Sequence, residues 1–287
     1  MKKNIHLLLI DPQNDFCDLP ADWCATDPLT GQPAAPALPV AGAHADLLRL
    51  AGLIAQGAGG ITAMTVTLDS HHRFHIAHPT FWQQGAGGAV APFTAITAAA
   101  VRRGDFLPRD AALLPKALAY LDALARGGRY TLMVWPVHCE IGSWGHNIHP
   151  AVKAACNAWE DSRLAVVQKI SKGSNPFTEH YSALQAEVPD ASDPATQLNT
   201  ALLASLVSAD LLVIAGEASS HCVRATTEHI VENLPAGQAG KMVLLTDCMS
   251  PVGGFEAQHT AFLQDMAGRG VALRTSAEML ATLLDNS

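Results

Sequence analysis

Short apolar runs punctuate the chain, and between them lie longer stretches whose apolar residues recur three and four positions apart. The runs at 5–10 (IHLLLI), 61–67, 130–134, 164–170, 211–215 (LLVIA), 242–246 and 271–274 predict strands. Several are apolar almost throughout, as parallel strands covered on both faces must be. The stretches 44–56, 111–126, 146–159, 194–207, 220–233, 256–269 and 277–285 predict helices. This alternation runs over all 287 residues without an internal repeat, and it predicts one doubly wound α/β domain, 1–287.

Two stretches interrupt the pattern. One, at about 18–38, is rich in Pro, Ala and Asp. The other, 83–109, carries GAGG and an alanine-rich patch, and with the helix behind it makes an insertion over 83–129. Loops this long wall or cover a site in some proteins and are tolerated insertions in others, and the sequence leaves both open.

Composition narrows the classes. Apolar residues make up 49% of the chain and charged residues 15%, enough for a large core and against disorder. A net charge of −8 argues against a nucleic-acid partner. The first apolar run ends at Asp11 with no small-residue cleavage site, so it reads as a core strand rather than a signal peptide. No stretch reaches the ~18–20 apolar residues that span a bilayer. The six cysteines are scattered and form no C-x-x-C, which fits reduced thiols in a cytoplasmic protein. A small-molecule substrate is expected, and a homo-oligomer is left open.

In open parallel sheets the site forms beyond the C-terminal strand ends. Asp11 follows the first strand, Asp69 and His71 the second, Trp135 and His138 the third, Lys172 the fourth and Cys222 the fifth. Titratable and metal-binding groups therefore collect at one edge. Cys222 opens a helix just past a strand, where unpaired N–H groups and a partial positive charge favour a thiolate and can hold an oxyanion. Lys172 can supply a cation to that thiolate and Asp11 a base. Asp15 and Lys169 are the competing carboxylate and lysine. Asp15 lies further from its strand end, and Lys169 lies inside the predicted strand. A second set, Asp69, His71 and His138, offers one carboxylate and two imidazoles, a ligand combination for Zn²⁺, Mn²⁺ or Fe²⁺. Of the neighbouring histidines, His75 is a further ligand or a substrate contact, and His72 and His78 are expected at the surface or behind the ligands.

Six blocks in order, LLLIDPQNDF, LPVAGA, TLDSHHRFH, WPVHCEIGSWGHNIHP, KGSNPFTEHYSA and GEASSHCVRATTEH, resemble the isochorismatase-like cysteine hydrolases, and within them the nicotinamidase (pyrazinamidase) branch. The similarity runs over about residues 5–276, apart from the two long loops. It implies a central, mostly parallel sheet of about six strands between helices. It implies Asp11 as base and acid, Lys172 as cation and Cys222 as nucleophile. It implies a divalent metal, zinc first, on Asp69, His71 and His138. It further implies a cis peptide at Glu217–Ala218 that aims the Ala218 N–H, with that of Cys222, at an oxyanion. Phe16 and Trp135 match aromatic pocket positions.

The activity so implied is hydrolysis of a small aromatic carboxamide, nicotinamide first, through a thioester on Cys222. The alternatives are a related amide or ureido hydrolase whose substrate lacks a pyridine nitrogen, and a catalytically silent binding protein of the same fold. Vinyl ether hydrolysis is disfavoured by the cysteine and the metal set. Two positions depart from the family pattern: Glu217 and Ser219 stand where an apolar residue and a threonine are usual. An acid at 217 points to a different substrate or to a side chain facing solvent.

Overall fold

A computed structural model describes residues 2–235 and 237–287. Its elements, in chain order, begin with β1 (Ile5–Ile10), α1 (Ala43–Gly57) and β2 (Ala63–Asp69). The insertion follows, with β3 (Trp82–Gln84), β4 (Thr94–Ile96), α2 (Ala98–Arg103), β5 (Phe106–Pro108), α3 (Leu114–Gly127) and β6 (Leu132–Val134). Then come α4 (Pro150–Arg163), β7 (Gln168–Lys172), α5 (Thr200–Val207), β8 (Leu211–Gly216) and α6 (Cys222–Asn233). The chain ends with β9 (Met242–Leu245), α7 (Glu256–Gly268), β10 (Ala272–Arg274) and α8 (Ser276–Asp285).

The central sheet has six parallel strands in the order β10-β9-β8-β1-β2-β7. Side chains alternate across it. Ile5, Leu7 and Leu9 of β1 face α1, α4 and α8, while Leu8 and Ile10 face α6, α7 and the insertion. Both faces are buried, which explains the near-continuous apolar character of β1 and β8.

Away from the site strands, four expectations change. The run at 130–134 does not enter the central sheet. Only 132–134 is strand, and it pairs antiparallel with β4, with Leu132 and Val134 buried and Met133 half-buried. A short apolar run looks the same in sequence whether one face or both are covered. The 83–109 stretch is not an irregular loop: β3 pairs with β5, and Thr97 caps α2 through its side chain. Three-residue strands are too short to show a period of two. Val90, Ile96, Val101, Leu121 and Leu124 from this insertion join the same core as Leu8 and Ile10. The third change is at α4, which starts at Pro150 with His149 as its cap, not at 146, in keeping with proline at a first helical position. Last, α5 starts at Thr200, capped by Asn199, and 194–196 is a separate 3-10 turn.

β7 runs 168–172 rather than 164–170, so Lys172 is its last residue. Lys169, three positions earlier, has the opposite parity and reaches outward to Glu160 at 3.8 Å. No helix among the described residues is long and apolar enough to cross a membrane.

Candidate active site

Four neighbouring strands, β8, β1, β2 and β7, deliver their C-terminal ends to one place. Asp11 follows β1, Asp69 ends β2, Lys172 ends β7, and Cys222 opens α6 six residues beyond the end of β8. Gly216 allows β8 to close against β1. It has φ +119°, and a Cβ there would stand 2.0 Å from the Ile10 carbonyl oxygen.

Lys172 is the centre of charge. Its Nζ lies 2.8 Å from Asp11 Oδ2, 3.1 Å from Asp69 Oδ1 and 3.4 Å from Cys222 Sγ, and it donates to the His180 carbonyl at 3.0 Å. Burial alone would lower the ammonium's pKa, but Asp11, Asp69 and Cys222 outweigh it and hold it well above the usual lysine value. Asp11 is fully buried. Thr67 donates to its Oδ1 at 2.5 Å, which leaves Oδ2 to Lys172. Burial pushes the Asp11 carboxyl up, Lys172 draws it down and Asp69 raises it again, so the net direction is upward. Burial likewise pushes the Cys222 thiol well up; Lys172 opposes this, and the charge of Asp11 adds to it. The resting group is therefore a thiol, not the free thiolate expected from the helix N-terminus.

Asp69 joins this triad to the histidines. Its Oδ2 lies 2.9 Å from His71 Nε2 and 3.3 Å from His138 Nε2. Burial alone would raise the Asp69 carboxyl, but His71, Lys172 and His138 hold it well below the usual range. Three imidazoles each place Nδ1 against a backbone carbonyl: His71 on Gly173 (3.1 Å), His138 on Pro136 (2.8 Å) and His78 on Arg73 (3.3 Å). A carbonyl accepts only, so each Nδ1 carries a proton and Nε2 is the nitrogen left to ligate; in His71 and His138 it shares a proton with Asp69 that a bound metal would displace. His71, His78 and His138 are buried, and each offers a ring nitrogen within 4.8 Å of the others.

Three Nε2 atoms beside a carboxylate, with His78 Nε2 lacking any partner, fit a divalent cation. Gly173, at φ +87°, keeps the space open, since a Cβ there would stand 2.8 Å from the His71 ring. His75 belongs elsewhere. Its Nδ1 accepts the Ala77 N–H, which puts the proton on Nε2, so it offers no lone pair to a metal. His78, expected at the surface or behind the ligands, is fully buried among them, whereas His72 is exposed.

Phe16, Trp135, Leu38, Tyr181 and Val252 wall the cleft above Cys222. The Phe16 ring lies 5.5 Å from that of His138, and Trp135 donates through Nε1 to Tyr181 Oη at 3.1 Å. Among the described residues, neither the Ala218 nor the Cys222 N–H donates to a backbone carbonyl, and both residues line the cleft. The Glu217–Ala218 peptide is cis. Asp15 is buried but occupied elsewhere, accepting the Ala37 N–H (3.0 Å) and the Cys139 N–H (2.6 Å). Cys139 is buried and serves through its backbone, its carbonyl accepting the His71 N–H at 3.0 Å.

Two groups in the cleft escaped sequence reasoning. Glu179 is buried, with Oε1 accepting the His180 N–H at 3.1 Å and Oε2 unpartnered. Burial pushes its carboxyl up, against the pull of His71. A carboxylate seven residues past Lys172 was the available signal. His221 lies among Tyr130, Trp135, Tyr181 and Phe255, and burial lowers its pKa to about 3, so it is neutral.

No family model and no curated protein matches the chain. Solved structures do. The nicotinamidase/pyrazinamidase of Acinetobacter baumannii is 18% identical with a TM-score of 0.61, covering 96% of this chain and 98% of that one. The yeast nicotinamidase bound to the inhibitor nicotinaldehyde is 17% identical with a TM-score of 0.62, covering 94% and 99%. The zinc complex of Pyrococcus horikoshii pyrazinamidase is 16% identical with a TM-score of 0.53, covering 95% and 99%. At these identities the likeness is one of fold: the chain has the α/β architecture of the nicotinamidases and isochorismatase-like hydrolases.

Proposed function

We propose that the chain hydrolyses a small aromatic carboxamide, nicotinamide first, to the acid and ammonia. The observation that carries this reading is the contact set of Lys172, whose Nζ stands 3.4 Å from Cys222 Sγ and 2.8 Å from Asp11 Oδ2 beside a cleft lined by Phe16, Trp135 and Tyr181.

Asp11 Oδ2 takes the thiol proton, and Lys172 stabilises the thiolate as it forms. The sulfur attacks the amide carbon, and the Ala218 and Cys222 N–H groups receive the developing oxyanion. Asp11 returns the proton to nitrogen as the C–N bond breaks, so ammonia leaves and a thioester remains on Cys222. Asp11 then deprotonates a water that attacks the thioester, releasing the acid and restoring the thiol. Asp69, His71, His78 and His138 would hold the divalent cation, zinc first. A bound cation there would anchor a ring nitrogen and orient the amide. The Phe16 and Trp135 walls exclude water and hold a flat ring.

The test is ammonia release from nicotinamide, pyrazinamide and carbamoyl compounds by the purified chain, with metal content measured alongside. Turnover of the ring carboxamides, dependent on bound metal, is expected. Turnover of carbamoyl compounds alone would replace this reading with a ureido hydrolase of the same fold. No turnover together with an unreactive Cys222 would make the chain a binding protein.

A further inference from the structure

A second carboxyl cluster lies behind the cleft, on the α1 side of the sheet. Strand alternation sets the Glu217 side chain on the face of Val213 and Ala215, both in the core under α1. Glu217 is fully buried and faces neither solvent nor substrate. Its Oε2 accepts the Ser250 N–H at 3.1 Å, and its Oε1 is buried without a donor. Asp46 of α1, only 3% exposed, is tied to it through Ser250, whose N–H goes to Glu217 and whose Oγ donates to Asp46 at 2.6 Å. Asp46 has a second donor in the Arg49 guanidinium. Two buried carboxyls bridged by one serine do not both ionise, and one proton between them supplies the donor that Glu217 lacks. Arg49 keeps the charge on Asp46, so the proton belongs to Glu217.

This pair braces a short turn. The Glu217 N–H donates to the Ile10 carbonyl at 2.8 Å, and the Ser219 N–H donates to the Ser250 carbonyl at 2.9 Å. Ser219 Oγ is bonded to His259 Nδ1 at 2.7 Å. Between these clips stands Ala218, with its N–H free.

We propose that Glu217 is a positioning residue: a neutral acid that shares one proton with Asp46 and so fixes the 217–219 turn with the Ala218 N–H facing the substrate carbonyl. This rests on the amide-hydrolase reading above. The titratable and charged groups facing the Glu217 carboxyl are Asp46 from α1 and Cys17 and Asp18 after β1, and those facing its partner Asp46 are Arg49 from α1, Cys248 after β9 and His259 from α7. Arg49 is the one permanent cation among them, and it is bound to Asp46. Burial, then Asp46, hold the Glu217 carboxyl well above the usual range. The protonated pair is therefore the lower-pH form, with its range extended upward. It is lost as pH rises through that raised value, when two like charges face each other and the turn loosens.

Glu217→Gln retains a donor at every pH, since the amide oxygen accepts from Ser250 and the NH₂ donates to Asp46. Glu217→Ala removes both contacts. The experiment measures kcat and KM for nicotinamide between about pH 6 and pH 10 in wild type and both variants. Glu217→Ala is expected to lower kcat about tenfold or more at nearly unchanged KM. Glu217→Gln is expected to restore kcat to within about threefold of wild type and to lack the wild-type fall at alkaline pH. A Glu217→Gln profile with the same alkaline fall as wild type, or a Glu217→Ala enzyme with wild-type kcat, would overturn the proposal. If Glu217→Ala does not fold, the Glu217→Gln profile decides alone. A wild type that turns over no carboxamide would overturn the functional reading and this proposal with it, whereas an active wild type isolates the role of Glu217.

Discussion

On the thiol side of the cleft, every charge meets an opposite charge from the chain itself: Lys172 serves Asp11 and Asp69 and also touches Cys222. On the imidazole side, the chain fixes three protons on Nδ1 atoms, sets His71 and His138 Nε2 against one Asp69 oxygen and gathers His78 Nε2 beside them. One half is organised around an ammonium. The other is organised around imidazole nitrogens of a kind that binds divalent cations. Asp69 belongs to both, one oxygen on Lys172 and the other on the imidazoles. The ammonium half is suited to bond making, and the imidazole half to holding something exchangeable. Substitutions on the two sides should therefore fail in different ways.

The sharpest break is on the thiol side. Cys222→Ala should lower kcat by about 10⁴-fold or more while leaving the circular dichroism spectrum and metal content unchanged. Residual turnover near wild type would remove Cys222 from the chemistry. Lys172→Met comes next and should fail twice. It removes the cation beside the thiol, with an expected loss of about 10³-fold in kcat. It also strands Asp11 and Asp69 as buried carboxylates, with an expected cost of about 3–5 kcal/mol in denaturant unfolding. A Lys172→Met protein of wild-type stability would mean the two carboxylates are paired in some other way.

The thiol half was the more legible one because its residues sit at strand ends. The apolar runs of β1 and β8 place Asp11 and Cys222, and strand parity separates Lys172 from Lys169. The histidine half depends on irregular backbone. His75 and His78 are three residues apart in one loop, and what distinguishes them is the backbone group each Nδ1 meets: the Ala77 N–H for one, the Arg73 carbonyl for the other. No periodicity encodes that choice. The destination of 132–134 was hidden for a similar reason, since its partner β4 is three residues long. Glu217 was readable but misread: its parity with Ala215 already sets it toward α1 rather than toward solvent or substrate.

The imidazole side should break more gently. Dialysis against a chelator is expected to raise KM for nicotinamide more than it lowers kcat, and added Zn²⁺ should reverse the change. His78→Ala should weaken metal binding about 10–100-fold, read by competition with a chromogenic chelator, whereas His75→Ala should stay within about threefold of wild type. Equal losses from the two variants would mean His75 also ligates.

The smallest expected effect tests how Asp11 is tuned. Thr67 donates to Asp11 Oδ1 at 2.5 Å and so favours the charged form against the upward push of burial. Thr67→Val removes that donor and should raise the Asp11 pKa further. Because Asp11 must be ionised to take the thiol proton, kcat/KM falls as pH drops through its folded value. The acid limb in Thr67→Val should therefore move upward by about half to one pH unit, with the plateau nearly unchanged. Stability runs the other way. A carboxyl whose folded pKa is raised binds its proton more tightly in the folded chain, so its contribution is fully present below the unfolded value of about 3.9 and is lost as pH rises through the folded one. Asp11→Asn removes that dependence, so the difference in Tm between wild type and Asp11→Asn should shrink in wild type's disfavour as pH rises across the same window in which wild-type activity appears. An acid limb that Thr67→Val leaves in place would separate Asp11 from the proton that limits the reaction.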